Sequence, residues 1–344
     1  MRRAALFASV GAVALLVTLG ACATEMPAAP DLPDAVAISY KPIALSQVDP
    51  KEHRVGELVY RGGLEISSPD ARFGGWSGLV VSADGASMLS QSDEAHWLRA
   101  RLIYDSKGDL AGIGEAELAD MQNPDGKAMV EKEGDAEGLD SLSPLDTHGP
   151  VAVSFERNHR IWEYDLTHSL DVKPSVVPAP DAIKSLDSNS GLEGLTLFQP
   201  HELLAITETA QAANGDHPAW LIPFPATGKF ETLSVKHHDP YEISDAAMGP
   251  DGNLYLLERH YFGPVRGVVI AVREIGRADV KPGARLDGSE IAQFTMHENI
   301  DNMEGLSLRR DSNGKTLLYM IADDNYNHPL ERTVLLMFEV KPAD

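Results

Sequence analysis

Short runs of β-branched, aromatic and other apolar residues, separated by turn residues, follow one another along the chain. Leu254–Leu257 and Leu317–Ile321 are two such runs, and the turn residues Pro250-Asp251-Gly252 precede the first of them. Runs of about four to eight residues bounded by Gly, Pro, Asn or Asp are typical of β-strands. Because no stretch shows a long 3.6-residue periodicity, the pattern predicts an all-β protein.

A four-residue motif recurs five times: an apolar or small residue, an acid or Ser, Gly or Ala, then an apolar or small residue. The copies are Trp76-Ser77-Gly78-Leu79, Ala136-Glu137-Gly138-Leu139, Leu192-Glu193-Gly194-Leu195, Ser244-Asp245-Ala246-Ala247 and Met303-Glu304-Gly305-Leu306. Their second residues lie 60, 56, 52 and 59 positions apart. A nearly constant period of about fifty to sixty residues indicates a β-propeller rather than a helical solenoid.

Each copy begins a similar series of predicted strands. The third strands are Leu98–Tyr104, Arg160–Leu166, Trp220–Phe224, Gly267–Val272 and Thr333–Val340, and the visible fourth strands are Asp109–Leu118, Phe230–Val235 and Glu290–Met296. The fifth copy stops after its third strand, whereas a strand at Glu57–Ile66 precedes the first copy. Pairing that strand with the C-terminal one would complete the last blade and leave no open edge there. We therefore predict five four-stranded blades, with six as the alternative.

Carboxylates are concentrated at two positions of nearly every predicted blade. A blade is an antiparallel meander with its first strand nearest the channel, so the start of strand one and the end of strand two lie on the same face. The strand-one starts are Ser77, Glu137, Glu193, Asp245 and Glu304, and the strand-two ends are Asp93, Glu94, Glu156, Glu208, Glu258, Asp323 and Asp324. The sequence thus predicts an acidic mouth at one end of the channel.

Carboxylates crowded in this way repel one another unless a cation neutralises them. Oxygen ligands suit hard cations, Ca²⁺ above all. Arg157, Arg259 and His260 follow acids of the predicted mouth and could pair with them or hold an anionic substrate. The alternative is that the acids cap strands and water networks in a wet channel.

Other catalytic chemistries find little support in the sequence. The segment Gly75–Gly78 lacks the G-x-S-x-G spacing of a nucleophile elbow, which argues against a nucleophilic Ser77. The histidines, His217 and His237 among them, show no H-E-x-x-H spacing, so zinc is disfavoured and most are predicted to be surface loop residues. Gly112–Gly114 lacks the third glycine of a dinucleotide fingerprint, so nucleotide cofactors are not expected.

The N-terminus has the pattern of a secretory leader. Arg2 and Arg3 precede an apolar run that ends at Leu19, and Leu19-Gly20-Ala21-Cys22 resembles a bacterial lipobox. We expect residues 1–21 to be a lipoprotein signal peptide and Cys22, the one cysteine of the chain, to be acylated. The alternative is an ordinary signal peptide with a chance cysteine. Because Ala23 rather than Asp follows Cys22, resemblance to bacterial lipoproteins implies the periplasmic face of the outer membrane.

The segment after Cys22 and the overall charge complete the domain prediction. Residues 22–52 are rich in proline and small residues, which is typical of a tether, and residues 53–344 form the predicted propeller. With 52 acidic against 29 basic residues, the net charge of −23 argues against a nucleic-acid partner. The lipid anchor is the expected membrane contact, and an envelope protein is a further candidate partner.

With these residues in view, the chain resembles the bacterial family described as having esterase-like activity of phytase. The resemblance rests on the ordered set Gly74–Leu79, Glu137–Leu139, Gly191–Leu195, Ser244-Asp245, Leu257–Arg259, Asn302–Leu306 and Asp323–Asn325, and covers about residues 54–340. Trp76 and Ala247 depart from the aliphatic residues of the family pattern.

The resemblance implies a propeller hydrolase in which channel acids hold Ca²⁺, as in calcium-dependent propeller phytases. The implied metal ligands are Glu137, Glu193, Asp245, Glu304 and Asp323, to which the predicted mouth adds Asp93. Glu193 and Glu304 are also candidate catalytic residues, with Arg157, Arg259 and His260 as partners for an anion. The substrate would be a small phosphoester or carboxylic ester. A non-catalytic binding or scaffold propeller with a structural metal, and a lactonase, are the alternatives.

Overall fold

The computed structural model describes residues 34–129, 133–225, 228–263, 266–328 and 330–341. Their strands form five sheets, each built on a four-stranded antiparallel meander. The first strands of the five sheets, which begin at Trp76, Ala136, Leu192, Glu242 and Asn302, contact one another in chain order, and the last of them contacts the first, so that they form a closed ring. The predicted all-β propeller of five blades is therefore confirmed, and the six-bladed alternative is wrong.

The strand bounds follow the repeat of the sequence. Blade one contains β5 (Trp76–Val81), β6 (Ser87–Ser92), β7 (His96–Tyr104) and β8 (Leu110–Asp120); blade two contains β9 (Ala136–Ser141), β10 (Pro150–Phe155), β11 (Arg160–Asp165) and β12 (Ser175–Val177). Blade three contains β13 (Leu192–Gln199), β14 (Glu202–Thr207), β15 (His217–Pro223) and β16 (Glu231–Val235); blade four contains β17 (Glu242–Met248), β18 (Leu254–Tyr261), β19 (Val268–Ile275) and β21 (Ser289–Phe294). Blade five contains β22 (Asn302–Arg310), β23 (Thr316–Asp323), β24 (Thr333–Val340) and β4 (Leu58–Ser67).

Four short strands extend these sheets at their outer edges. They are β1 (Ala35–Val36) on blade one, β2 (Ser39–Pro42) and β3 (Arg54–Val55) on blade five, and β20 (Arg285–Leu286), parallel to β16, on blade three. Turns of 3₁₀ helix occur at Ile183–Ser185 and Arg277–Asp279. The fourth strand of blade two, β12, was not predicted from the sequence, because it is only three residues long.

The N-terminal strand closes the ring as predicted. β4 runs antiparallel to β24, with Ile66 opposite Thr333 and Leu58 opposite Val340. Leu58 and Leu64 are fully buried there. β4 thus supplies the fourth strand of the sheet whose other three strands are β22, β23 and β24. This pairing closes the ring of blades.

Residues 34–52, the described part of the predicted tether, lie against the propeller. β1 pairs with β8, β2 pairs with β4, and Leu45 belongs to the apolar core with 1% of its surface exposed. The packed structure thus begins ahead of residue 53. The predicted signal peptide and Cys22 lie outside the described residues. Within them, we find no helix with the length and apolar character that crossing a bilayer requires.

The apolar core is divided among the blade interfaces. Five buried clusters lie between neighbouring blades; the one between blades five and one, for example, includes Leu64, Trp76 and Tyr319. Blades cover both faces of an inner strand, so every residue of β5 is buried. The second strands are buried in the same way along Leu254–Leu257 and Leu317–Ile321, which explains why these runs are continuously apolar rather than alternating.

The glycines of the repeated motif allow the inner strands to approach closely. A Cβ on Gly138 would come within 2.5 Å of the Glu193 backbone oxygen, and one on Gly305 within 2.9 Å of the Gly78 carbonyl carbon. Side chains that accept backbone hydrogen bonds across the ring reinforce this packing. Asp140 accepts one from Leu197 N at 2.7 Å, and Ser307 Oγ accepts one from Val81 N at 2.9 Å.

Candidate metal centre at the channel mouth

Every first strand carries a β-bulge at the repeated motif. In β22, Met303 pairs with Ala322 and Gly305 with Ile321, which leaves Glu304 as the extra residue. The extra residues of β5, β13 and β17 are Ser77, Glu193 and Ser244, respectively. In β9 two residues, Glu137 and Gly138, lie opposite the single residue Ser154 of β10. A bulge changes the direction in which a side chain points, so the side chains of these residues do not follow the regular alternation of the strand between its two faces. The motif is therefore the sequence signature of a fivefold bulge.

The second strands supply a second set of equivalent positions. Asp93, Glu156 and Glu208 each donate a backbone N–H to the carbonyl oxygen of the residue just before the first strand of the same blade, at 2.8 to 3.0 Å. Asp323 lies opposite Asn302 and Arg259 opposite Glu242 in the same register. Four blades thus place a carboxylate at this position, and blade four places a guanidinium there.

These two sets meet at one mouth of the channel. Carboxylate oxygens of Asp135, Glu137 and Glu156 lie within 4.8 Å of one another, and so do those of Glu156, Glu193 and Glu208. Arg259 joins this group from blade four, with Nη1 2.9 Å from Glu304 Oε1 and Nη2 3.5 Å from Glu208 Oε1. We call the whole set the mouth cluster: Asp93, Asp135, Glu137, Glu156, Glu193, Glu208, Arg259, Glu304 and Asp323.

The acids of the mouth cluster are largely buried and lie close to one another, and both conditions shift their pKa values. Burial, followed by repulsion from neighbouring acids, raises the pKa of Glu137 and Glu193 well above the usual range. The same causes raise the pKa of Asp323 to about 9 and that of Asp93 to about 7. Burial also raises the pKa of Glu208 to about 7, although Arg259 opposes this. One guanidinium does not balance the cluster.

Some acids of the cluster have polar partners, whereas Glu137, Glu193 and the buried Oδ1 atom of Asp93 have none among the described residues. Gly191 N donates to Glu156 Oε1 at 2.6 Å, Asn302 Nδ2 donates to Glu304 Oε1 at 2.8 Å, and Asn325 N donates to Asp323 Oδ1 at 2.6 Å. Among the described residues, no hydrogen bond or ion pair reaches the carboxylates of Glu137 and Glu193, which are 9% and 8% exposed. Such buried acids are neutralised either by a bound proton or by a bound cation.

Asp245, a predicted metal ligand, does not belong to the mouth cluster. Its Oδ2 accepts a hydrogen bond from Leu306 N at 2.7 Å and its Oδ1 one from Ala246 N at 2.7 Å. Both bonds lie within the wall of inner strands, where Asp245 occupies the position that glycine has in the other blades. Ser244 is the residue at the bulge of blade four. The four-residue motif therefore aligns Asp245, rather than Ser244, with the bulge residues of the other blades, and this alignment is wrong by one position.

Arg157 and His260 lie at the edge of the site. Arg157 forms an ion pair with Asp135, and its side chain is 40% exposed. The ring of His260 packs edge-on against Phe262, with ring centroids 4.2 Å apart. Glu258, whose side chain was also expected at the mouth, is buried instead against Arg273, 2.9 Å away. Glu258 therefore neutralises a core arginine rather than facing the channel.

No sequence pattern indicates that Asp135 is part of this site. It precedes the motif of blade two, and the equivalent residues in the other blades are Gly75, Gly191, Glu242 and Asn302. Glu156 and Glu208 could be found from the sequence, because they follow second strands, but they were not selected as ligands. Ser77, the bulge residue of blade one, is 1% exposed, with Oγ 3.4 Å from the Gly75 carbonyl oxygen.

A β-propeller with an acidic channel mouth is the class of protein that this fold and this site define. The sequence model of the phytase-like family, described as esterase-like activity of phytase, matches residues 71–326. The chain belongs to this family, and the membership points to a hydrolase-type function. No curated protein sequence matches the chain.

Several solved structures are similar to the chain at low sequence identity. The PQQ-bound aldose sugar dehydrogenase from Streptomyces coelicolor is 12% identical, with a TM-score of 0.43, over 88% of this chain and 99% of that one. A glucose dehydrogenase is 10% identical with a TM-score of 0.41, over 81% and 98% of the two chains. The structure of U3-55K is 10% identical with a TM-score of 0.36, over 81% and 77%.

Proposed function

We propose that the protein is a lipid-anchored periplasmic hydrolase that binds Ca²⁺ in the mouth cluster and cleaves a phosphoester or carboxylic ester there. The observation that carries this proposal is the state of Glu137 and Glu193. Both carboxylates are buried, both have strongly raised pKa values, and neither has a hydrogen-bond donor among the described residues. A bound cation would supply the missing neutralisation.

The donor set fits Ca²⁺. The two triplets of the mouth cluster offer oxygen atoms only, within 4.8 Å of one another, and Glu156 belongs to both. Several carboxylates from blades two and three provide the high coordination number that Ca²⁺ prefers. Glu137, Glu156 and Glu193 would hold the ion, with Asp135 and Glu208 beside them.

The remaining residues of the mouth cluster suit hydrolysis of an anionic or polar ester. Bound Ca²⁺ would act as a Lewis acid and lower the pKa of a coordinated water. Arg259 and the half-exposed Arg157 would orient the phosphate or carboxylate group of the substrate. Asp93, whose pKa is raised to about 7, can hold or accept a proton near neutral pH, as a general acid or base must.

The membrane anchor in this proposal rests on the lipobox at Leu19–Cys22. Metabolic labelling with a radioactive fatty acid should mark the wild-type protein and leave Cys22→Ala unlabelled. Density-gradient separation of the membranes should place the wild-type protein with the outer membrane. An unlabelled wild-type protein recovered in the soluble periplasmic fraction would refute the anchor and leave the propeller site untouched.

The metal site is tested on the full-length protein in detergent after treatment with a chelator. Added Ca²⁺ should raise its melting temperature, because a ligand of the folded state stabilises that state by mass action. Glu193→Gln should lose most of this rise, while Glu290→Gln, a change of an exposed acid on β21, should retain it. No rise with Ca²⁺ or Mg²⁺ would refute metal binding at the mouth.

Turnover is tested on a panel of a phosphomonoester, a carboxylic ester and a lactone, with and without Ca²⁺. We expect Ca²⁺-dependent hydrolysis of an ester that Glu193→Gln and Glu304→Gln abolish without unfolding the protein. A metal-dependent melting shift with no turnover on any substrate would instead favour a binding or scaffold propeller with a structural metal. Hydrolysis of the lactone alone would favour a lactonase.

A further inference from the structure

A second group of ligand-type side chains lies outside the mouth cluster, at the boundary of blades three and four. His217 begins β15, His237 follows β16, and Glu242 begins β17. A ligand atom from each of the three lies within 4.8 Å of the others. The rings of the two histidines are nearly perpendicular, with centroids 5.2 Å apart. Three separate elements thus bring two imidazoles and one carboxylate to a single point.

Most histidines were predicted to be surface loop residues, but His217 is not one of them. It lies on a strand with 1% of its surface exposed. Its Nδ1 is 3.2 Å from the carbonyl oxygen of Thr207. Nδ1 is also the nitrogen of this ring nearest to Glu242, 4.0 Å from its Oε2. The edge of the ring that carries Nδ1 thus faces both the backbone of β14 and the other members of the triplet.

The other two side chains have unsatisfied polar atoms. Nε2 of His237 and Oε2 of Glu242 are both buried and have no hydrogen-bond partner among the described residues. Buried polar atoms are nearly always paired, so two unpaired ones in the same triplet indicate an absent partner. A cation bonded to both would satisfy each of them at once.

We propose that His217, His237 and Glu242 form a second metal site, selective for Zn²⁺ or a similar transition metal and separate from the Ca²⁺ centre. Two imidazole nitrogens and one carboxylate oxygen are a borderline donor set that suits Zn²⁺, whereas Ca²⁺ prefers oxygen alone. The Glu242 side chain is 37% exposed, which provides a path for the ion from solvent. Three protein ligands leave a fourth position for water or another small ligand.

The site adjoins the mouth cluster through the backbone. Thr207, whose carbonyl oxygen accepts from His217, directly precedes Glu208, and Ile243 N donates to the Glu208 carbonyl oxygen at 3.1 Å. The residue after Glu242 is thus hydrogen-bonded to the residue after Thr207, the backbone partner of His217. An ion at this site would hold the end of β14 in place behind the mouth cluster. The spacing of the ligands along the chain explains why no sequence motif reveals them.

Co²⁺ spectroscopy on the full-length protein without an added histidine tag tests this proposal. We expect one Co²⁺ per chain with the strong visible absorption of a four-coordinate site, displaced by Zn²⁺. His237→Gln and Glu242→Gln should each weaken Zn²⁺ binding at least tenfold in calorimetry. His238→Gln is the matched control, because this neighbouring histidine pairs with Asp287 at 2.9 Å and lies outside the triplet.

The same variants separate this site from the Ca²⁺ centre. Glu193→Gln should leave the Co²⁺ spectrum unchanged, and His237→Gln should retain the melting shift with Ca²⁺. The proposal is overturned if wild-type protein shows no four-coordinate spectrum, or if His237→Gln and Glu242→Gln bind Zn²⁺ as tightly as His238→Gln does. Failure of the Ca²⁺ experiment would not affect this result, since the two sites share no ligand.

Discussion

Arg259 Nη1 lies 2.9 Å from Glu304 Oε1 and 2.6 Å from Asn302 Oδ1, across the boundary between blades four and five. Burial by itself lowers the pKa of Arg259, but Glu304 and three further acids outweigh it and raise the pKa overall. At the equivalent position of the other four blades the chain places a carboxylate. Arg259 is therefore the internal counter-ion of the mouth cluster.

Replacing Arg259 should destabilise the metal-free protein more than the metal-bound one. Arg259→Met removes one partner of a buried ion pair and leaves Glu304 and Glu208 without a cation, which costs roughly 3 kcal/mol. Urea unfolding in chelator measures this loss, and added Ca²⁺ should restore part of it. Arg101→Met is the control: this exposed arginine pairs with Glu115, and its loss should cost about 1 kcal/mol or less. Equal losses for the two variants would contradict the counter-ion role.

Replacing Glu193 should have opposite effects with and without metal. Its raised pKa means that the folded state disfavours the ionised form of Glu193, which lowers the free energy of unfolding. This loss of stability is absent below a pH of about 4.5, and it grows as the pH rises towards the pKa of Glu193 in the folded state. Glu193→Gln removes this cost, so the metal-free variant should melt higher than wild type, more so at pH 8 than at pH 5. In Ca²⁺ the order should reverse, because the variant lacks a ligand.

Differential scanning calorimetry at the two pH values, with chelator or with Ca²⁺, checks both halves of this prediction. Glu290→Gln, at an exposed position on β21, should follow the wild type under all four conditions. If Glu193→Gln melts lower than wild type in chelator, the carboxylate is stabilising and the cluster does not need a cation.

The propeller was predictable because the sequence pattern that specifies each blade is local and repeats along the chain. Turn residues and apolar runs recur with the motif, and the strand at Glu57–Ile66 had an obvious place beside Thr333–Val340. The short β12 was missed, since three residues carry little pattern. Where the repeat is strong, a strand's neighbours follow from its position in the repeat.

The site was only partly predictable, because a bulge changes which residue faces the channel. Asp245 fits the motif by residue type, yet the register in β17 makes Ser244 the extra residue and places Asp245 in the wall. A one-residue slip moves a side chain to the other face of a strand. The same slip brings Arg259 rather than Glu258 to the mouth cluster. Bulge register depends on strand pairing, which a single sequence does not specify.

The strand that closes the ring should contribute strongly to stability. Leu64 on β4 is fully buried in the cluster between blades five and one. Leu64→Ala should cost about 3 kcal/mol, from lost burial and the cavity that remains. Val48→Ala, where 72% of the residue is exposed, should change stability by less than about 0.5 kcal/mol. Urea unfolding of both variants measures the contrast, and a small effect at Leu64 would show that closure is dispensable.

The ion pair of Asp216 with Arg285 should make stability depend on acidic pH. Arg285 Nε lies 2.6 Å from Asp216 Oδ2 and Nη2 lies 2.8 Å from Oδ1, so the guanidinium of β20 holds both oxygens of a buried carboxylate. The hydrogen bonds from Arg285 lower the pKa of Asp216 to about 2, against 3.8 for an ordinary aspartate. The stabilisation is therefore complete above pH of about 4 and is lost as the pH falls through about 2.

Asp216→Asn should lower stability by roughly 2 kcal/mol at neutral pH, the range for hydrogen bonds to a charged group. The difference from wild type should shrink as the pH falls from about 4 towards 2, because the wild-type carboxylate then loses its charge as well. Urea unfolding at a series of pH values measures this convergence. Asp279→Asn, at an exposed position of the turn Arg277–Asp279, should match the wild type throughout. A constant difference between Asp216→Asn and wild type down to pH 2 would mean that shape, rather than charge, is what Asp216 contributes.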